Sequence, residues 1–219
     1  MKKWTSFGLV IAATAMAATP LAAQQPSPAW NGFYAGLNAG GLFGSTSSTF
    51  ATPFGPGGFS GSGAGFAGGA QGGYNYLFGP VLLGAEVDFQ GSTYASQLGG
   101  GSGAGPLAAT TYTPWFSTMR LRAGYTVGSV MPYVTGGAVW GQRTVSGGGA
   151  GMPAYSASNT YWTWTVGGGV EGMIADRWSM KLEYLYMGTP STALPVAATV
   201  PVSESTSGNL IRLGVNYHF

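Results

Sequence analysis

The chain has 219 residues, of which 6% are charged and 14% aromatic, with 40 glycines and no cysteine. An ordinary soluble domain has about 25% charged residues, and a disordered chain is rich in charge and poor in aromatics. The composition therefore excludes a soluble enzyme with a charged surface and a solvated disordered chain. The lack of cysteine excludes disulfides and thiolate chemistry.

The first 23 residues have the pattern of a cleaved secretory signal. Lys2 and Lys3 form a positive start, residues 7–18 are apolar, and PLAAQ supplies small residues before a cut after Ala23. The alternative, a transmembrane anchor, would need about 20 apolar residues. We predict a signal peptide over 1–23 and a single domain over 24–219. The rest of the chain has equal numbers of basic and acidic residues and no Lys/Arg cluster, so nucleic acid is not a predicted partner.

Eight segments of the mature chain alternate with the two-residue period of a β-strand. They are residues 31–43, 64–77, 81–93, 115–127, 131–145, 160–173, 177–188 and 208–219. The connections alternate between tight turns (77–80, 127–131 and 174–178) and long loops rich in Gly, Ser, Thr and Pro (44–63, 91–114, 146–159 and 189–207). Short turns at one end and long loops at the other are typical of transmembrane β-barrels.

The charged residues follow the same alternation. Val87 and Phe89 lie on one side of their segment, for example, and Glu86 and Asp88 on the other. The charges predicted to lie opposite the apolar face are Glu86, Asp88, Arg120, Arg122, Arg143, Glu171, Lys181, Glu183 and Arg212; the other three, Asp176, Arg177 and Glu204, fall in a turn or a loop. Sparse charges on one face suit an enclosed interior, and the apolar face suits lipid.

A sheet exposed to lipid has to close, because lipid cannot pair its backbone groups. The predicted fold is therefore all-β, an eight-stranded antiparallel up-and-down transmembrane β-barrel, whose interior side chains can fill. Aromatic residues near segment ends are predicted to form interfacial girdles. They are Trp30, Phe33, Tyr76, Phe78, Trp115, Trp162, Trp164, Trp178, Tyr217 and Phe219.

One motif and one residue are weak candidates for a functional site. GAGFAG (63–68) matches a dinucleotide-binding pattern but lacks the strand before it and the helix after it. His218 is the single histidine and has no evident metal or catalytic partners, so we predict a polar residue at the mouth of the lumen. No cofactor, metal or catalytic site is predicted.

Three segments resemble a known family. WNGFYAGLNAGG (30–41), PYVTGGAVWG (132–141) and LIRLGVNYHF (210–219) are similar to the first, fifth and last strands of small outer-membrane β-barrel proteins of Gram-negative bacteria, the opacity-like and alphaproteobacterial surface antigens. The resemblance implies location in the outer membrane, contact with its lipid and periplasmic N and C termini. It also implies that Tyr217 and Phe219 form a signal for the barrel assembly machinery.

The sequence leaves three functions open. We favour a structural or surface-interaction protein whose lumen is plugged by ion-paired side chains and whose long loops face an unknown extracellular ligand. Opposite charges on neighbouring strands, such as Glu86 and Arg120, predict such pairing. The alternatives are a small passive porin-like channel and a membrane enzyme, and the missing set of catalytic groups disfavours the enzyme.

Overall fold

The computed structural model describes residues 30–52, 55–102, 105–149, 152–188 and 202–219. The predicted signal peptide lies outside these residues and stays a prediction. The strands of the described part are β1 (Gly32–Thr52), β2 (Gly55–Phe78), β3 (Val81–Ser102), β4 (Gly105–Tyr125), β5 (Val130–Gly149), β6 (Met152–Ala175), β7 (Trp178–Met187) and β8 (Val202–His218). In the same residues, no helix is long and apolar enough to cross a membrane.

The strands form one closed antiparallel barrel in chain order, and β8 pairs with β1 to complete it. The predicted fold class is confirmed. The tight turns are also confirmed: β2 and β3 are joined through Gly79, whose φ is +61°, and β4 and β5 through Gly128, whose φ is +62°. Glycine adopts this left-handed conformation without the steric cost that other residues incur. We call the end with these turns the turn end and the opposite end the hairpin end.

The predicted loops at 44–63, 91–114 and 146–159 are wrong, because all of their described residues extend the strands. The described part of the fourth loop, 202–207, also belongs to a strand. Glycine and serine have weak strand preference on their own. Here each finds a cross-strand partner, and hydroxyl pairs such as Ser45–Ser207 at 3.2 Å and Thr144–Ser158 at 2.9 Å join neighbouring strands. Pairing in the hairpins therefore outweighs local preference.

The two faces of the wall separate as the alternation predicts. Outward side chains such as Leu37, Leu121 and Leu213 are more than half exposed. The inward side chains of the same strands are buried. An apolar face of this extent in contact with water would be unfavourable, which fits a wall covered by lipid.

The lumen is layered along the barrel axis. Near the turn end lies an apolar group of Trp30, Leu82, Met131 and Tyr133. The charged residues follow, and above them, toward the hairpin end, lies a second apolar layer of Leu42, Ala67, Phe116, Val139, Tyr161, Leu185, Met187 and Leu210. A small third group, Leu98, Ala109 and Val145, lies higher still. The sequence did not predict these apolar layers in the lumen.

Trp30 corrects one prediction. It was expected in an interfacial girdle, but it is fully buried inside the barrel at the turn end. Its ring meets the ring of His218 edge to face, with centroids 5.7 Å apart. Trp30 precedes β1 and folds under the barrel, so the strand alternation does not govern where its side chain points.

Candidate functional site: a charge network inside the barrel

The strand register places opposite charges side by side. Glu86 on β3 is directly opposite Arg120 on β4. Glu171 on β6 faces Lys181 on β7, and Glu183 on β7 faces Arg212 on β8. Facing pairs of opposite charge on neighbouring strands stabilise a sheet. In a closed barrel all of these side chains also point toward one axis, so the pairs meet one another.

Glu86 is the centre of the network. Its carboxylate accepts hydrogen bonds from Lys181 Nζ at 2.7 and 2.8 Å and from the hydroxyl of Tyr34 at 2.7 Å. Arg120 also donates to it, and Arg122 Nη1 lies 3.6 Å away. Glu86 is 2% exposed and Lys181 is fully buried. A buried carboxylate needs such partners, because an uncompensated charge in the interior is costly.

Glu183 and Asp88 bind Arg120 and Arg212 on the side of the network that faces the hairpin end. Arg212 donates to Glu183 Oε2 from Nε at 2.7 Å and to Asp88 Oδ2 from Nη2 at 3.0 Å. Arg120 makes the corresponding pair of contacts, both at 3.0 Å, with Glu183 Oε1 and Asp88 Oδ2. The hydroxyl of Tyr133 donates to Glu183 at 2.8 Å. Each arginine therefore links carboxylates from two different strands.

A second branch runs toward the turn end. Arg122 Nη1 donates to Glu171 Oε2 at 2.9 Å, and its Nε donates to Asn75 Oδ1 at 3.0 Å. The guanidinium lies between the rings of Tyr34 and Tyr133, 4.8 and 5.2 Å from their centroids. A planar guanidinium can stack and donate at the same time, which a lysine ammonium cannot.

Neutral amides extend this branch around the wall. Asn38 Nδ2 donates to Gln71 Oε1 at 2.9 Å, Gln71 Nε2 donates to Asn216 Oδ1 at 2.5 Å, and Asn216 Nδ2 donates to Glu171 at 2.7 Å. These amides are not among the lumen residues predicted from the sequence. Their inward position in the alternation was the signal that could have found them.

The network balances its charges. Glu86, Asp88, Glu171 and Glu183 face Arg120, Arg122, Lys181 and Arg212, so the paired side chains sum to zero. Eight of the nine charges predicted for the lumen thus lie in one contiguous cluster. Arg143 lies apart, on the hairpin side of the second apolar layer, with its guanidinium 5.7 Å from the ring centroid of Tyr161.

Glycines make room for the long side chains. A Cβ on Gly137 would meet the carbonyl oxygen of Met119 and lie 2.7 Å from Arg120 Cα. A Cβ on Gly40 would meet the carbonyl oxygen of Ile211 and lie 2.7 Å from Arg212 Cβ. These glycines let the arginines cross a narrow lumen, where any larger residue would displace the neighbouring strand.

Ser179, His218 and Glu171 meet at the turn end, a grouping that the sequence did not predict. Ser179 Oγ lies 2.9 Å from His218 Nε2 and donates to Glu171 Oε1 at 2.5 Å. In a catalytic triad the acid orients the other ring nitrogen of the histidine. Here Glu171 lies 3.5 Å from the same Nε2 that meets the serine, and all three side chains are buried. This geometry is that of a packed polar cluster.

Tyr217 and Phe219, the predicted assembly signal, lie at the turn end. The ring of Tyr217 contacts those of Trp178 and Phe219, with centroids 5.2 and 5.3 Å away. The Phe219 side chain is exposed, while its backbone nitrogen donates to the carbonyl of Phe33 at 3.0 Å. Half-buried Tyr217 and exposed Phe219 thus form an aromatic edge where β8 closes on β1.

A closed eight-stranded barrel with an apolar outer face and a charged interior defines a β-barrel membrane protein. The model of the family described as outer membrane protein beta-barrel domain matches residues 8–219. The chain therefore belongs to this family of outer-membrane proteins, and the resemblance noted in the sequence is confirmed.

Named relatives agree with this assignment. The 31 kDa outer-membrane immunogenic protein of Brucella melitensis is 33% identical over 98% of this chain and 97% of its own length. The 22 kDa outer membrane protein of Rhizobium leguminosarum is 28% identical over 89% of this chain and 81% of its own. The protein is thus an outer-membrane β-barrel similar to surface antigens of alphaproteobacteria.

Solved structures show the same fold at low sequence identity. The outer membrane protein OprG of Pseudomonas aeruginosa has a TM-score of 0.52 and 14% identity, covering 86% of this chain and 97% of its own. The outer membrane protease OmpT of Escherichia coli has a TM-score of 0.50 and 12% identity, covering 87% and 97%. These likenesses concern the fold alone.

Proposed function

We propose that this protein is a structural and surface-interaction protein of the outer membrane, with a lumen closed to ions and solutes and no catalytic activity. One observation carries the proposal: the charge network joins opposite walls of the barrel and is almost completely buried. A conducting lumen needs a continuous hydrated path. Here paired side chains and two apolar layers occupy the cross-section.

The proposed orientation has the hairpin end outside the cell and the turn end, with residues Gly32 and Phe219, in the periplasm. Short turns face the periplasm in bacterial barrels, and longer connections face outward. On β1 the outward face is apolar from Phe33 to Phe43 and carries Ser45 and Ser47 beyond it. An apolar band of that length matches a membrane of about 25 Å, so the rest of each long hairpin projects beyond the lipid.

The projecting hairpins supply the surface for interaction. Their described residues are mainly Gly, Ser, Thr and Ala, with few charges. The relatives from Brucella are named immunogenic proteins, which supports exposure of the corresponding surface here. An extracellular ligand or envelope partner would meet this neutral, hydroxyl-rich surface.

The assembly role of Tyr217 and Phe219 belongs to the same proposal. Replacement of Phe219 by Ala should lower the amount of folded protein in the outer membrane. Replacement of Phe33, which is also exposed at the turn end but on the first strand, is the matched control. Equal loss from both variants would contradict a signal that resides in the last strand.

Liposome swelling tests the closed lumen. Liposomes with refolded protein (residues 24–219) should swell in small neutral solutes no faster than protein-free liposomes. Folding is checked by heat-shifted gel mobility. Swelling that rises with the amount of folded protein would overturn the proposal and favour the alternative, a small passive porin-like channel.

A further inference from the structure

A cleft opens in the hairpin half of the barrel, beyond the second apolar layer. The empty space in the cleft and its open mouth together is about 600 Å³. Leu42, Phe116 and Met187 line its apolar side. These residues belong to the layer that separates the cleft from the charge network, so the cleft is a separate site.

The other walls of the cleft carry hydroxyl groups. Tyr94, Thr111, Thr113 and Tyr161 contribute them from three strands. Both threonines are more than nine-tenths buried. Ligand pockets usually combine a mainly apolar lining with a few polar groups that fix orientation, and this cleft has that composition.

Two strand irregularities occur at the height of the cleft. The register shifts between Gly91 and Tyr94 on β3 and between Tyr112 and Trp115 on β4. Pro114 lies within the second shift and has no backbone N–H to give to the ladder. As a result Phe116 and Thr113, which have opposite parity on one strand, both point inward. Bulges of this kind re-aim side chains and are frequent beside functional sites.

Glycines on the facing strands make space for the two tyrosines. A Cβ on Gly44 would lie 2.6 Å from the Tyr94 hydroxyl, and one on Gly141 would lie 3.0 Å from the Tyr161 hydroxyl. Both hydroxyls occupy positions that any larger residue at these glycines would block. Small residues at these two positions therefore determine the shape of the cleft.

Arg143 sets the electrostatic character of the cleft. Among the described lining residues it is the one with a charge, and its guanidinium lies beside the Tyr161 ring. It also makes another contact. Because a guanidinium carries five N–H donors in a fixed fork, it can serve a second acceptor together with its existing partner.

We propose that this cleft binds a small organic anion with an apolar body, such as an aromatic monocarboxylate. The carboxylate would accept hydrogen bonds from Arg143 and the neighbouring hydroxyls, and the ring would lie against Leu42, Phe116 and Met187. The proposal goes beyond a surface-interaction role, and it holds whether or not the lumen conducts.

The test is a titration of the refolded protein in lipid nanodiscs with benzoate, followed by NMR of methionine methyl groups. Met187 lines the cleft, while Met131 is buried at the turn end below the charge network. We expect a saturable shift of the Met187 signal and an unchanged Met131 signal. No shift, equal shifts of both signals, or a shift that never saturates would overturn the proposal.

Variants test the role of the charge. Arg143→Gln should weaken benzoate binding about tenfold or more, because it removes the charge-assisted hydrogen bonds to the carboxylate. Arg177→Gln, which removes an exposed cation in a turn, is the matched control and should bind as the unmodified chain does. Thr113→Val, which keeps the volume and removes one hydroxyl, should weaken binding to a smaller degree. Unchanged binding by folded Arg143→Gln, or equal binding of benzyl alcohol, would overturn the assignment.

Discussion

Lys181 on β7 donates to both carboxylate oxygens of Glu86 on β3, at 2.8 and 2.7 Å, although the residues are 95 positions apart. In a ring of eight strands, β3 and β7 lie opposite each other. The contact therefore crosses the full width of the lumen. It is the most direct evidence that the network ties the walls together as well as pairing neighbouring strands.

Loss of this contact should destabilise the barrel. Lys181→Met leaves the buried Glu86 with one cation fewer, and breaking a buried ion pair costs about 3–5 kcal/mol. We expect a lower denaturant midpoint for unfolding in lipid vesicles. Arg177→Met, at an exposed turn position, is the control and should unfold at the normal midpoint. Equal midpoints for Lys181→Met and the unmodified protein would show that the contact does not stabilise the fold.

Arg122 should tolerate neither a neutral nor a lysine replacement. Its guanidinium bonds Glu171 and Asn75 while it lies between two tyrosine rings. Arg122→Met should lower the temperature at which the folded form is lost on gels. Arg122→Lys keeps the charge but loses the stacked, forked guanidinium. The temperature at which its folded form is lost should therefore lie between those of Arg122→Met and the unmodified protein. A lysine variant as stable as the original would mean that charge alone matters at this position.

Gly137 should be sensitive to a single methyl group. A Cβ there would meet β4 backbone next to Arg120. Overpacking of this kind costs about 1–3 kcal/mol, so Gly137→Ala should lower the free energy of unfolding by that amount. Gly99→Ala is the matched control, because a Cβ there meets nothing within 4 Å. Equal effects of the two alanines would contradict a packing role for Gly137.

The absence of native cysteine allows a direct test of orientation. Ser47→Cys places a thiol on the outward face of a long hairpin, and Asp176→Cys places one in a tight turn. An impermeant maleimide should label the first variant in intact cells. The second should be labelled after the outer membrane is permeabilised. The reverse pattern would invert the proposed topology.

The sequence was sufficient to predict the strand cores and the two faces. In β4, apolar Met119 and Leu121 alternate with polar Thr118 and Arg120. This two-residue period fixes which side chains share the apolar face and which share the polar face. It was not sufficient for the hairpin extensions, because glycine and serine show no contrast between faces. Their strand structure depends on partners elsewhere in the chain.

The second apolar layer shows another limit. Leu42 and Phe43 are both apolar, and one points inward while the other points outward. Where both faces carry apolar residues, alternation cannot tell lumen from lipid. The cross-lumen contacts were also beyond prediction, because adjacency in the sequence indicates neighbouring strands and only closure brings β3 to β7. Arg143 is separated from the other charges by its position along the barrel axis, beyond the second apolar layer.

Single-channel recording of the refolded chain (residues 24–219) in a planar bilayer tests the closed lumen most directly. The sample is first shown to be folded by its heat-shifted gel mobility. The network and the apolar layers predict a silent bilayer with the folded protein inserted. Stable, ion-selective current steps from the folded protein would contradict a closed lumen. Enlargement of these steps by Lys181→Met would show that the hydrated path passes Glu86.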